Sequence, residues 1–368
     1  MKRIQANPWI TRIPPYAPGL SKEQIARRHG IAAPIKLASN ENPLGPSRLA
    51  VKAIEAFKEQ VHIYPDAAAA ELRQAAAGYF HCRPENIIAG NGSDEIIDMV
   101  CRAFLAPGDK VVIPACTFSY YRIAALACGA EIMMTPMHGM SIDPRAIERA
   151  LERDAGIKLV FLANPNNPTG TYLNREAVDR LITRTPPETL LIFDEAYAAF
   201  TRAPDFAGAT PMIDTHTNIV VINTLSKSHG LAGLRVGFGL ADPTIIDILG
   251  RVKPPFNLNL LAIKAGTAAL SDSEFVRQTL ALTWDGLDYM ARECSRLGLS
   301  CVPSQTNFVL VHIGPAARQV YEELLRRGVI TRYLSDPGLA EYLRVSIGLP
   351  HENETLMANL EHILTQIR

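Results

Sequence analysis

Lys227 closes the stretch Thr224-Leu225-Ser226-Lys227, and Arg235 follows it by eight residues. A lysine amine condenses with a carbonyl to give a Schiff base, and a guanidinium grips a phosphate dianion through paired charge-assisted hydrogen bonds, with hydroxyls such as those of Thr224 and Ser226 as further partners. A Ser-Lys pair standing alone is an ordinary solvated surface feature; the segments upstream give it weight. The run Ile192-Phe193-Asp194-Glu195-Ala196-Tyr197 ends an apolar strand pattern at 189–193 and then delivers a carboxylate and a phenol three residues apart. At a strand end in an α/β sheet, where ligands sit, Asp194 can pair with a protonated ring nitrogen and Tyr197 can hydrogen-bond a ring oxygen. The same letters also suit a helix N-cap followed by a half-buried tyrosine. Asn164-Pro165-Asn166-Asn167-Pro168-Thr169-Gly170 follows another apolar strand pattern at 158–163 as a rigid turn that can aim Asn167 at the same ring. Gly90-Asn91-Gly92-Ser93-Asp94-Glu95 opens an apolar helix running to 105, where the free N–H groups of Ser93 and Asp94 would suit an anion, although Gly-Ser-Asp is also an ordinary helix start. A phosphorylated aldehyde on a nitrogen ring, pyridoxal 5'-phosphate, would use all of these groups.

In order and spacing, Asn-Pro-Thr-Gly, Asp-x-x-Tyr, Ser-x-Ser/Ala-Lys with Thr224 in the first hydroxyl position, and Arg235 eight residues after the lysine resemble the fold-type I pyridoxal-phosphate aminotransferases over nearly the whole chain. The resemblance implies Lys227 as Schiff-base lysine and proton shuttle, Asp194 on the pyridine nitrogen, and Tyr197 with Asn167 on the ring oxygen. Arg235, Ser226, Thr224, Ser93 and Asp94 would hold the phosphate, and Phe118 would stack on the ring where relatives more often carry Tyr. Within that group, Ser39-Asn40-Glu41-Asn42-Pro43-Leu44-Gly45, Tyr64-Pro65-Asp66, Tyr16-Ala17-Pro18-Gly19, and Arg332 ahead of Leu343-Arg344-Val345-Ser346 resemble the histidinol-phosphate aminotransferases. This implies Arg344 on the carboxylate of glutamate or 2-oxoglutarate and on the substrate phosphate, helped by Arg332, Tyr16 and Asn42. Tyr64 would reach the cofactor phosphate of a neighbouring subunit in a homodimer. The implied reaction is a ping-pong transfer between L-histidinol phosphate and 2-oxoglutarate, in histidine biosynthesis. An aromatic amino acid aminotransferase, a threonine-phosphate decarboxylase and a catalytically weak cofactor-binding regulator remain open as alternatives.

Some positions depart from the pattern. Ser228-His229 stands where Ala and an aromatic are more usual, and Val61-His62-Ile63 where an Asn-Arg pair is common; His229 reads as a packed helix residue. Cys116 replaces a common Pro, which is expected to loosen the loop carrying Phe118.

These groups need a scaffold, and short apolar runs alternating with helical spacing supply one. Strands are expected at 110–114, 131–135, 158–163, 189–193, 218–223 and 236–240, with helical spacing between them, as at 174–183; the alternation argues for a mostly parallel sheet covered on both faces. Past the Pro254-Pro255 pair a long helix at 271–297 leads to strands near 307–312 and 342–346. The expected fold is α/β, and the resemblance implies a fold-type I, mostly parallel seven-stranded sheet in a large domain at 39–253 and a smaller α+β domain at 254–368. By the same resemblance an N-terminal arm at 1–38 would pack with the smaller domain.

Composition excludes other classes. A chain of 368 residues that is 48% apolar can bury a large core, and 37 basic against 37 acidic residues leave no polyelectrolyte footprint for nucleic acid. Residues 1–18 hold four prolines and no apolar signal core, and no apolar run reaches membrane-spanning length, so a cytoplasmic location is expected. Six cysteines without C-x-x-C spacing read as reduced thiols, and neither a structural metal nor a membrane partner is suggested.

Overall fold

The computed structural model describes residues 4–15 and 19–367. Its largest sheet has seven strands in the order Ile87–Asn91, Val236–Ala241, Ile219–Thr224, Leu190–Asp194, Ile157–Ala163, Lys110–Pro114 and Glu131–Thr135. Only Val236–Ala241 runs against its two neighbours. This is the mostly parallel α/β fold expected from the alternation of apolar runs.

The central strands read as unbroken apolar runs because both faces are covered. Val160, Leu162, Leu191, Phe193, Ile219 and Val221 enter one core cluster, whereas Leu159, Phe161, Leu190, Ile192, Val220 and Ile222 enter the cluster on the other face. Each such buried side chain contributes roughly 1.5–3 kcal/mol of transfer free energy. The strand boundaries fall within one residue of the sequence expectation. Ile87–Asn91 lies outside the expected strands, because Gly90-Asn91 reads as the opening of the helix that follows. It is held by antiparallel pairing with Val236–Ala241.

A four-stranded antiparallel sheet, Ser300–Val302, Phe308–His312, Tyr342–Ser346 and Arg332–Tyr333, follows the long helix Ser273–Arg296. It has its own core, which includes Leu37 from the N-terminal part of the chain. Ile35–Lys36 also pairs in parallel with Val329–Ile330. The rest of the arm does not all follow: the Trp9 indole N–H donates to the Ala127 carbonyl at 3.0 Å, because the last turn of the helix Tyr120–Ala127 leaves that acceptor outside the helical ladder. Trp9 therefore sits against the large sheet's layer rather than the smaller sheet. Among the described residues, no helix is long and apolar enough to cross a membrane, and no group of three or more His, Cys, Asp or Glu is placed to hold a metal ion.

Candidate active site

The carboxyl ends of the parallel strands converge on one cleft of about 490 Å³. Ser93, Asp94, Phe118, Asn167, Asp194, Tyr197, Thr224, Ser226, Lys227, Arg235, Arg332 and Arg344 all line it. The strand register explains part of this convergence, because Ala163 lies beside Asp194 and Asp194 beside Ile222. Each strand thus delivers its terminal polar residues to the same edge.

One end of the cleft suits a phosphate. The helix Ser93–Phe104 begins there with Gly92 as N-cap and no side-chain cap, so its first N–H groups keep their donor capacity for a ligand. The Arg235 guanidinium lies beside them, 3.2 Å from Asp94 Oδ2 and 3.4 Å from Ser226 Oγ. Gly92 is required by this approach: a Cβ there would lie 2.3 Å from Arg235 Nη2, and its φ is +83°. Gly237 lets the helix start sit directly on the sheet, since its Cβ would meet Ser93 N at 2.4 Å. Thr224 Oγ1 faces inward, 2.9 Å from Ser226 Oγ and 3.0 Å from the Val236 carbonyl, and so braces the Ser226 hydroxyl.

The middle of the cleft suits a flat ring. Asp194 is buried, and burial pushes its carboxyl pKa up; hydrogen bonds from the Tyr121 hydroxyl at 2.6 Å and from the Ala196 N–H at 3.1 Å act in the opposite direction. The adjacent Glu195 turns away from the cleft. Burial pushes it up to about 7, and it accepts the Ala209 N–H. Of two neighbouring acids, only Asp194 therefore lines the cleft. Lys227 Nζ donates to the Ser39 carbonyl at 3.4 Å and lies 5.8 Å from the centre of the Tyr197 ring. Phe118 meets Tyr121 edge to face at 5.5 Å, which sets the slant of its ring.

At the other end, Arg344 Nη1 donates to Asn167 Oδ1 at 2.6 Å and Nη2 to the Ala38 carbonyl at 2.7 Å, with its guanidinium 5.3 Å from the Phe308 ring centre. Arg332 lines the same part of the chain's cleft together with Leu334 and Leu339. The buried acid and the uncapped helix start beside Arg235 suit the ring nitrogen and the phosphate of pyridoxal phosphate, and the end lined by Arg332 and Arg344 suits a further oxyanion.

A family model described as "Aminotransferase class I and II" matches residues 32–360. The chain belongs to the class I and II aminotransferases. Among curated relatives, this aminotransferase is 41% identical to a histidinol-phosphate aminotransferase of Anaeromyxobacter sp. over 97% of its own chain and 98% of the relative. It is also 41% identical to one from Symbiobacterium thermophilum, over 96% and 97%. A solved structure of histidinol-phosphate aminotransferase from Sinorhizobium meliloti in complex with pyridoxal-5'-phosphate superposes with a TM-score of 0.93 at 26% identity, covering 100% of this chain and 99% of that one.

Asn42, expected on the substrate, is not among the residues that line the cleft of this aminotransferase. Asn42 donor groups face Thr279 Oγ1 at 3.0 Å and the Lys227 and Ser228 carbonyls at 3.3 Å, so this amide fastens the lysine-bearing loop instead of meeting substrate. Tyr64, expected at a neighbouring subunit's cleft, is 79% exposed and stacks on Phe256 at 4.7 Å. Tyr16 lies outside the described residues. The departures at His229 and Cys116 also take a definite form. Burial drives His229 down to about 4, and it packs edge-on against Tyr79. Two hydrogen bonds hold the loop at Cys116: Asn166 Nδ2 donates to the Cys116 carbonyl at 2.7 Å, and Thr117 Oγ1 donates to Asn166 Oδ1 at 2.7 Å.

Sequence reasoning missed Tyr121, an aromatic inside a helix with no local signal beyond its spacing three residues after Phe118. It is fully buried and stacks on Phe161 at 4.8 Å while its hydroxyl reaches Asp194. Tyr121→Phe removes only that hydroxyl, so the Asp194 carboxyl loses a partner that favours its ionised form and its pKa rises further. Because the ionised acid is the form a ring cation needs, the acidic limb of the kcat/KM profile should move to higher pH. Affinity for pyridoxal phosphate should fall about fivefold, corresponding to roughly 1 kcal/mol for one buried hydrogen bond. An unmoved acidic limb in a pH–rate series would show that Tyr121 serves packing alone.

Proposed function

We propose that this aminotransferase binds pyridoxal 5'-phosphate and transfers the amino group of L-histidinol phosphate to 2-oxoglutarate, giving imidazole acetol phosphate and L-glutamate. The observation that carries the reading is that Arg332 and Arg344 line the same cleft as Lys227, in a chain 41% identical to proteins named for that activity. One substrate ends in a phosphate and the other in carboxylates, and a planar guanidinium grips either oxyanion. When bound, the cofactor supplies an aldehyde that carries the amino group and a ring that accepts the electron pair released at the substrate carbon. Lys227 would hold the aldehyde and, once free as a neutral amine, move the proton at the amine-bearing carbon. Asp194 would keep the ring nitrogen protonated, Tyr197 and Asn167 would face the ring oxygen, and Arg235, Ser226, Thr224 and the N–H groups of Ser93 and Asp94 would take the phosphate. Phe118 would cover the ring face, and Tyr16 would join Arg332 on the substrate.

Tyr64, Val61 and Ile63 are 79%, 62% and 55% exposed, an apolar projection that a second copy would cover. This supports a homodimer in which Tyr64 completes the neighbouring cleft. The free thiols of all six cysteines suit a cytoplasmic setting.

The reading is tested by single-turnover spectroscopy of the cofactor-loaded protein with histidinol phosphate, phenylalanine and phosphothreonine in turn. Conversion of cofactor to its amine form by histidinol phosphate is the expected outcome. Preference for phenylalanine, or carbon dioxide released from phosphothreonine, would move the chain to a different reaction in the same cleft. Arg332→Ala should weaken histidinol phosphate by about 2 kcal/mol, a KM increase of roughly 30-fold, while sparing glutamate. Equal losses for both donors would remove the assigned division between Arg332 and Arg344.

A further inference from the structure

Asn40 has no role in the chemistry above, yet it makes four hydrogen bonds in the cleft wall. It is 1% exposed and held at φ +54°, in the left-handed region that Asn tolerates better than other side chains with a Cβ. Its backbone N–H donates to Ser346 Oγ at 2.8 Å, and Ser346 Oγ donates in return to Asn40 Oδ1 at 2.8 Å. Its Nδ2 donates to the Tyr197 hydroxyl oxygen at 2.9 Å, and its carbonyl accepts from Asn307 Nδ2 at 3.0 Å.

The reciprocal pair with Ser346 sets the direction of the amide. The Asn40 N–H occupies the acceptor side of Ser346 Oγ, which leaves the serine proton for Oδ1 and turns the NH2 group towards Tyr197. A phenol carries one proton. With Asn40 already donating to its oxygen, Tyr197 has no acceptor in Asn40 and keeps that proton for the cleft. A carboxylate at position 40 would instead draw the proton away. Ser346 also ends the strand Tyr342–Ser346 that carries Arg344. The same contacts therefore join the arginine-bearing strand to the residue that would face the ring oxygen.

We propose that Asn40 is a positioning residue that acts through Tyr197, orienting the phenol proton into the cleft and tying that phenol to the Arg344 strand. The proposal rests on the pyridoxal-phosphate reading above.

The test is a double-mutant cycle on the full-length, cofactor-loaded protein: wild type, Asn40→Asp, Tyr197→Phe and the double variant, with Asn40→Gly as the control that relieves the backbone. The readouts are the pH midpoint of the bound cofactor's visible absorbance, and kcat and KM for 2-oxoglutarate. Asn40→Asp should move the midpoint by about half a unit or more and lower kcat about tenfold, with KM within about twofold, and it should add nothing once Tyr197 is Phe. Asn40→Gly should move the midpoint in proportion to the lost amide contact, despite its relaxed backbone. Additive effects in the cycle, or a wild-type midpoint and kcat in Asn40→Asp, would overturn the proposal. If the position-40 variants do not fold, Ser346→Ala carries the same test, since it frees the amide to turn while leaving Asn40 and Tyr197 in place. A shifted midpoint supports the proposal, and an unmoved one overturns it. A wild-type protein that develops no visible absorbance with pyridoxal phosphate would sink the functional reading itself, so the two failures are distinguishable.

Discussion

Lys227→Ala is expected to abolish the visible absorbance of the lysine-held cofactor and to lower turnover by about four orders of magnitude, since one side chain supplies both the covalent attachment and the proton transfer. The amine sits inside the cleft, 3.4 Å from the Ser39 carbonyl, and among the described residues no second lysine lines that cavity. Methylamine added back should restore part of the proton transfer but not the attachment. The measurement is a single-turnover time course with and without the added amine, alongside circular dichroism to establish that the variant is folded. Retention of both absorbance and turnover would remove the central claim about this residue.

Asp194→Asn is the second large effect expected. The carboxyl group is buried, which pushes its pKa up, while hydrogen bonds from Tyr121 and the Ala196 N–H act in the opposite direction. A neutral amide of the same shape leaves the packing in place but cannot pair with a ring cation. A lost ion pair in so enclosed a site should lower kcat by about 10²–10³-fold with little change in KM, because the charge is needed as the transition state develops. Rate measurements across pH would decide the point: an unchanged kcat would show that Asp194 does not sustain the electron sink. Tyr121→Phe should produce a smaller change with the same sign, which links the two residues to one cause.

The groups legible in the sequence are those that sit at strand ends or helix starts. Lys227, Asp194, Asn167 and Ser93 each follow directly on an apolar strand or open a helix, so a short window holds both the chemistry and the element that aims it. Residues whose roles come from distant partners were not legible. Asn40 and Ser346 are 306 positions apart yet exchange two hydrogen bonds. Tyr121 looks like any helix aromatic until Asp194, 73 residues on, is found against its hydroxyl. Asn42 stands in the same motif as Asn40, and spacing alone could not say which of the two amides enters the cleft. The structure turns Asn42 to Thr279 and the Lys227 loop, and Asn40 to Tyr197.

Local sequence therefore determined the element types, the apolar runs that bury the central strands on both faces, and the polar residues that terminate them. These depend on periodicity and backbone preference over a few residues, which the chain carries wherever it folds. Tertiary structure alone decided how close Arg235 comes to Gly92, that Asn42 fastens the Lys227 loop while Asn40 meets Tyr197, and how the small sheet brings Arg344 to Asn167. Those outcomes depend on pairing and packing between segments far apart in sequence, where a side chain's partner is chosen by the whole fold and not by its neighbours in the chain.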